Sequence, residues 1–317
     1  MAASETQQGE WKKRETFGSA LVQIILVGVI LIGVVWLVWQ RGTTKKELSE
    51  LMKEARSHAI RGNPADLRQG LKFADDALKK ESSSPDALAF IASVNTDLWL
   101  LHREPGAEQK AKEYLEKARK AQAHTEERYG SEALHLVNAG KAKEAEDFIE
   151  DLRKKGASSA RLFYAHAMAA RAQGNLQLAR TGLIAAMDKS WKDPAYSSAW
   201  GEAIIDEGGV GATDAFTKSL GVNPDFFRAK LGMALSRVMR KDRIGEAEGV
   251  LRDVLAHDAE LSPPLKARAL AIQAGVLNIQ DQPDQAISVA EQALALNPDD
   301  AWALFAKANA LAANKDA

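Results

Sequence analysis

The chain has 317 residues, 46% of them hydrophobic, and a formal net charge of −1, with a mean hydropathy of −0.28. So balanced a charge provides no global basic field for phosphates, which excludes nucleic acid as the expected partner. The absence of cysteine removes disulfide frameworks, thiolate metal sites and cysteine nucleophiles, while fitting an oxidising or a reducing compartment equally well.

A short tail, residues 1–16, precedes a stretch from Phe17 to Trp39 that contains no charged side chain. As a helix rising about 1.5 Å per residue, that stretch reaches roughly 34 Å, enough to cross a hydrocarbon core of about 30 Å. Trp36 and Trp39 stand at one end and Trp11 lies beyond the other, where amphipathic rings favour the interface. Residues 17–39 therefore read as a membrane anchor that brings the protein to a lipid bilayer. Lys12, Lys13 and Arg14 also suit the start of a cleaved secretory signal. The apolar run is too long for one, however, and Gln40-Arg41-Gly42-Thr43-Thr44 offers no small-x-small processing site. Gly28 and Gly33 have the wrong spacing for a GxxxG pairing face. The compact basic cluster and short tail favour a cytoplasmic N-terminus, against a raw count of Arg41, Lys45, Lys46, Lys53 and Arg56 after the span. Arg41, Lys45 and Lys46 are placed to meet anionic headgroups.

From Lys45 onward the composition is that of helices, rich in Ala, Leu, Lys, Glu and Arg without β-branched alternation. Short breaks punctuate it at Arg61-Gly62-Asn63-Pro64, Ser82 to Pro85, Glu104-Pro105-Gly106, Gly140 and Gly174-Asn175. Others follow at Glu207-Gly208-Gly209, Asn223-Pro224, Ser262-Pro263-Pro264 and Asn297-Pro298. These delimit helices of roughly 12 to 17 residues joined as antiparallel hairpins.

The hairpins repeat. Small residues recur at Ala111, Ala145, Ala179, Ala212, Ala247 and Ala286, at steps of 34, 34, 33, 35 and 39 residues. A second column lies seven residues on, at Ala118, Leu152, Ala186, Ser219, Val254 and Ala293. Near the C-terminus one unit reads Leu270, Ala274, Leu277, Ala286, Ala290, Ala293 and Pro298, and the preceding unit has Leu231-Gly232. In period and residue pattern this resembles the tetratricopeptide repeat family, with a helical-hairpin solenoid of another type as the alternative. The resemblance is most specific in the last third. The unit at Ala111 lacks the Leu-Gly pair, and Lys45 to Ser84 fits only through Ala77-Leu78 and its hairpin form.

The resemblance implies an all-α fold: a right-handed superhelical solenoid over residues 40–317, of about seven hairpins and a C-terminal half-repeat, preceded by the transmembrane helix. In such arrays the first helix of each hairpin lines a groove, which places Arg161, Tyr164, Met168, Arg171, Phe226, Met233, Trp302 and Phe305 there as candidate partner-binding residues. They suit a protein or peptide with apolar anchors and acidic groups. Packed core is the competing reading for each aromatic or Met. The Lys and Asn set of a chaperone-tail carboxylate clamp is not found at these positions.

Nothing in the sequence calls for a catalyst, metal or cofactor. His58, His102, His124, His135, His166 and His257 are dispersed, without metal-ligand spacing. Gly209-Val210-Gly211 links two helices and follows no strand, so it reads as an interhelical turn rather than a dinucleotide loop. The charged runs Lys110 to Lys120 and Lys141 to Lys155 mix both signs and read as solvated helix faces. In the last helix, from Ala301 to Ala313, only Lys307 and Asn309 are polar. Leu304, Ala308 and Leu311 are expected either to cap the previous hairpin or to contact another copy or a partner. The expected protein is thus a single-pass adaptor, resembling bacterial inner-membrane tetratricopeptide proteins, with its solenoid outside the cytoplasm. Two other expectations are an oligomerising structural component and a cytosol-facing docking receptor.

Overall fold

The computed structural model describes residues 5–209 and 211–316, and side chains from residue 22 onward except 37, 38, 40, 41, 210, 315 and 316. Among the described residues there are fifteen α-helices, one 3-10 turn and no strand. In chain order they are α1 Glu5–Ala59, α2 Pro64–Lys80, α3 Pro85–Leu100, α4 Ala107–Lys120 and α5 Glu126–Asn138. There follow α6 Ala142–Lys154, α7 Ala160–Ala172, α8 Leu176–Lys189, α9 Pro194–Asp206 and α10 Ala212–Val222. The last are α11 Phe227–Arg240, α12 Ile244–Ala256, the 3-10 turn Asp258–Glu260, α13 Pro263–Ile279, α14 Pro283–Leu296 and α15 Ala301–Asp316. The chain divides into two units, residues 1–50 and 51–317.

Local chemistry sets the helix starts. Proline opens α2, α3, α9, α13 and α14, where its missing N–H leaves nothing unpaired and its fixed φ suits a first turn. Ser84, Thr125, Ser159, Asn175 and Asp193 cap their helices by accepting a first-turn backbone N–H through the side chain, each worth about 1 kcal/mol. Gly140, Gly174 and Gly208 close turns with φ between 72° and 76°, a region that costs a side chain but not glycine.

In the second unit α3 through α14 pair as consecutive hairpins, α3 with α4 through to α13 with α14. The second helix of each bears one buried triplet at i, i+4 and i+7, apolar throughout except at Ser219. It reads Ala111, Leu115, Ala118 in α4; Ala145, Ile149, Leu152 in α6; and Ala179, Leu183, Ala186 in α8. It continues as Ala212, Phe216, Ser219 in α10; Ala247, Leu251, Val254 in α12; and Ala286, Ala290, Ala293 in α14, all buried. Both sequence columns therefore lie inside the array, and where the outer members are small, as at Ala111, Ala118, Ala179 and Ala186, the facing helix can approach closely. In α2 the triplet is Gly70, Ala74 and Ala77, also buried. A Cβ at Gly70 would come within 2.7 Å of the Ala55 carbonyl oxygen, so residues 51–59 serve as the first helix of that hairpin.

First helices stack on first helices, α3 on α5, α5 on α7, α9 on α11, α11 on α13 and α13 on α15. The arrangement is an all-α, tetratricopeptide-like solenoid. Its largest apolar core gathers α9 to α13 around Phe216, which is fully buried. The ring lies against Gly201 and Gly232, and a Cβ at Gly201 would stand 2.7 Å from it. The Leu231-Gly232 pair thus exists to seat a ring from the second helix of the preceding hairpin. The mixed charge runs are exposed helix faces, with i,i+4 pairs such as Lys112–Glu108 at 2.5 Å and Lys155–Asp151 at 2.6 Å.

In the first unit, α1 is continuous through the expected span. The large apolar side chains described there, from Val22 to Trp36 and at Trp39, are exposed. Side chains 17–21, 37 and 38 of that span, like Trp11 and the basic cluster 12–14, lie outside the described ones. Among the described residues no helix is long and apolar enough to cross a membrane.

Candidate functional site

The eight residues expected on the inner face fall into two groups. Tyr164, Phe226 and Met233 are buried, Arg161 is partly buried with its side chain 13% exposed, and Met168 is half-buried against the α5–α9 core. Arg161 lies in the first turn of α7, and its stem runs over Gly130, where a Cβ would stand 2.6 Å from Cγ. Its guanidinium donates to both carboxylate oxygens of Asp97 in α3, at 2.9 and 3.0 Å, and to the Ser93 carbonyl at 3.1 Å. Burial alone would lower its pKa, but the Asp97 charge and hydrogen bonds outweigh that and raise it further above the ordinary arginine range. The Tyr164 and Tyr196 rings meet at 5.7 Å. Beside them Arg228 of α11 donates to both oxygens of Glu202 in α9, the Nε to Oε1 at 2.5 Å. Arg171, exposed, pairs with Asp206. The arginines expected to hold acidic groups of a partner are thus each engaged by a carboxylate of the chain itself.

The inner face is also closed across the array. The Asn63 amide donates to the Asp225 carbonyl at 2.8 Å and its oxygen accepts from the Phe227 N–H at 3.1 Å. Asn223 returns the contact, donating to the Arg61 carbonyl at 2.8 Å. Between them Gly62, with φ of 80°, lies under the Phe226 ring so closely that a Cβ would be 2.8 Å from it. Further along, His102 Nδ1 pairs with Ser262 Oγ at 3.1 Å and Arg103 donates to Asn297 at 2.8 Å. His102 is buried beside Arg228 and Arg68; desolvation first, then these charges, pushes its pKa down to about 3. Burial pushes the Asp193 carboxyl the other way, up to about 7, against the hydrogen bond it accepts from the Ala195 N–H. The sequence marks Asn63-Pro64 and Asn223-Pro224 as breaks, but carries no sign that the two would clamp each other.

Trp302 and Phe305 occupy different surroundings. Their rings meet edge to face at 5.6 Å and line an apolar cavity of about 520 Å³ between α11, α13 and α15. Leu235, Val238, Met239, Ile272 and Ile279 line it, together with Lys241 and Asp281. Asn278 lines it too; its amide donates to the Ala306 carbonyl at 2.7 Å, leaving its buried Oδ1 without a partner. An apolar cavity of this size with one spare acceptor suits large apolar side chains carried on a segment that donates a hydrogen bond.

Residues 267–310, which form this end of the array, match the family model of the tetratricopeptide repeat. The crystal structure of the APC/C hetero-tetramer Cut9–Hcn1 aligns with a TM-score of 0.56 at 16% identity, over 82% of this chain and 55% of that one. The fold is that of a tetratricopeptide-repeat array. This chain therefore spans about half the length of that relative. A tetratricopeptide repeat protein from Parabacteroides merdae aligns over 84% of this chain and 99% of its own at 14% identity, with a TM-score of 0.48. The Thermus thermophilus tetratricopeptide protein TTC0263 aligns over 58% and 99% at 18% identity and a TM-score of 0.45. No curated relative matches the chain. Tetratricopeptide proteins generally act through protein–protein interaction, binding protein or peptide partners on a typically non-enzymatic scaffold.

Proposed function

We propose that the protein is a membrane-anchored adaptor: residues 17–39 hold it in a bilayer, and the tetratricopeptide array recruits a protein or peptide without chemistry of its own. The observation that carries the recruiting role is the apolar cavity of about 520 Å³ lined by Trp302 and Phe305, with the buried Asn278 Oδ1 left without a partner. The partner segment brings two or more large apolar side chains and donates a hydrogen bond to Asn278 Oδ1. Acidic groups are a lesser part of its recognition, since Arg161, Arg171 and Arg228 already hold carboxylates. The anchor rests on the uncharged run and its tryptophans, with exposed apolar side chains from Val22 to Trp36. The basic cluster 12–14 favours an inner membrane with the array outside the cytoplasm, where envelope secretion or complex assembly needs such an adaptor.

The full chain in lipid nanodiscs, panned against a random peptide display library, is expected to enrich segments with paired Leu, Phe or Met. Binding by these segments should fall at least tenfold in Met239→Asp. Absence of enrichment, or equal binding by that variant, defeats the groove reading. The anchor is tested separately: alkaline extraction should leave the wild type in the membrane and release Val27→Arg/Ile30→Arg. Extraction of both alike removes the anchor. Labelling of Asn314→Cys in intact cells by an impermeant thiol reagent is expected, and labelling only after lysis reverses the orientation.

A further inference from the structure

Ten residues past its N-cap, each first helix has one equivalent position. In α3, α7, α9, α11 and α13, capped by Ser84, Ser159, Asp193, Phe226 and Ser262, it holds Val94, Ala169, Ala203, Ser236 and Ile272. All five are buried. In α5, capped by Thr125, it holds His135, which is only half-buried. His135 instead lines a cleft of about 540 Å³ between the hairpins α3/α4 and α5/α6, inside the array. Trp99 meets its ring edge to face at 4.9 Å, and Leu115, Leu136 and Phe148 line the same cleft. The charges along it are already matched. Lys112 pairs with Glu108 at 2.5 Å, Arg119 with Glu116 and with Glu132 at 2.8 Å, and Arg128 with Glu132 at 2.8 Å. Three cations thus balance three carboxylates, and nothing is left over to draw an ion.

What is left over is one acceptor. The buried Thr96 hydroxyl donates to the Ala92 carbonyl at 2.8 Å, which uses its only proton. Its contact with His135 at 3.2 Å is therefore made by Nε2–H donating to the Thr96 oxygen. Burial, then the Lys112 charge, pushes the His135 pKa down to about 4, so at pH 7 the ring is neutral and carries no second proton. Nδ1 is then a bare acceptor on a ring that lines the cleft. We infer that the cleft takes a tryptophan or tyrosine side chain of a protein partner, whose N–H or O–H donates to His135 Nδ1 while its ring packs beside Trp99 and Phe148. Rings favour such edge and offset contacts. A volume of about 540 Å³ is that of a drug-sized ligand site, more than a lone ring fills, and admits the backbone that carries it. The cleft shares no residue with the cavity lined by Trp302 and Phe305, so it is independent of the groove reading.

The test uses the full chain in lipid nanodiscs and two neutral probes, the peptide acetyl-Gly-Gly-Trp-Gly-Gly-amide and its 1-methyltryptophan analogue, which keeps the ring but lacks the donor. By saturation-transfer NMR the wild type is expected to bind the first about fivefold more tightly, the difference made by one net hydrogen bond. His135→Phe keeps a ring and removes the acceptor, and should bind both probes alike. Ala139→Trp, at an exposed position on the cleft, should block both with unchanged helicity, while Met239→Asp, in the other cavity, binds as the wild type does. No binding of the tryptophan peptide, equal binding of the two probes by the wild type, or a preference that survives in His135→Phe overturns the proposal. So does free indole bound more tightly than the peptide, which would make the occupant a small molecule. The wild-type comparison decides even where His135→Phe fails to fold.

Discussion

The helices around Arg161 and the last half-repeat are built from the same pattern, yet the first region holds its arginine in an ion pair of its own beside a cavity of about 430 Å³, while the second lines an apolar cavity with an unpaired acceptor. Around Arg161 the charges are matched by the chain, Asp97 against Arg161, Glu202 against Arg228, Asn63 against the backbone of Asp225 and Phe227, with Arg161 Nε left over. Around Trp302 the surface is apolar, and the Asn278 oxygen has no partner. A repeat register fixes which side of a helix turns inward. What lies opposite is set by closure of the array, and that decides whether an inward residue is scaffold or contact.

The sharpest way to break this comparison is to remove one member of a sealed pair. Arg161→Ala leaves the Asp97 carboxylate without its partner in a largely enclosed site, at an expected cost of about 3 to 5 kcal/mol in chemical denaturation. A change below about 1 kcal/mol would mean that this end is open to water as well. Asn63→Ala deletes two of the three side-chain contacts of the clamp, for about 1 to 3 kcal/mol. Hydrogen exchange in α2 should rise with it, while α13 and α14 keep their protection. Gly232→Ala forces the Phe216 ring to move and should cost about 1 to 3 kcal/mol by overpacking.

The acid response separates the ends further. His102 is neutral in the fold, with a pKa of about 3, against about 6.5 unfolded. The unfolded chain therefore binds the proton first, and stability is lost as pH falls from about 6.5 towards 3, by up to roughly 1.4 kcal/mol per unit. Asp193 acts in the opposite sense. Its raised value, about 7, means that stability declines as pH rises from about 4 to 7 and is flat above. His102→Gln should flatten the acid limb of a stability–pH curve, and Asp193→Asn the neutral limb; a curve unchanged in both would show that neither group is enclosed. The smallest effect belongs to the open end: Phe305→Ala, at a side chain 56% exposed, should shift stability by less than about 0.5 kcal/mol.

Much of the array could be read from spacing. Ala111 through Ala286, and the column seven residues on, occupy one buried register even at α10. That helix begins at its first register residue, Ala212, where the others have already made a turn. The sequence pattern was weakest in the first hairpin, because Gly70 and Ala74 supply the small positions without the flanking signature residues. The site was less legible. The register suggests an inward side for Arg161 and Tyr164, but a single helix cannot reveal that Asp97, two hairpins earlier, will meet the guanidinium. Trp302 and Phe305 stood out as aromatics in an alanine-rich helix, while Asn278 and Met239, which complete the cavity, look like ordinary helix residues.

The clamp between Asn63 and Asn223 has a consequence in time. The hairpin that carries Asn63 is among the first parts of the array to be synthesised, whereas the backbone it grips is made about 160 residues later. At roughly 5 to 20 residues per second, that leaves the early hairpin waiting about 8 to 32 s with its docking loop unpaired. During this interval the nascent chain offers two bare surfaces in sequence, and whatever shields the first from a wrong neighbour has done its work before the second emerges.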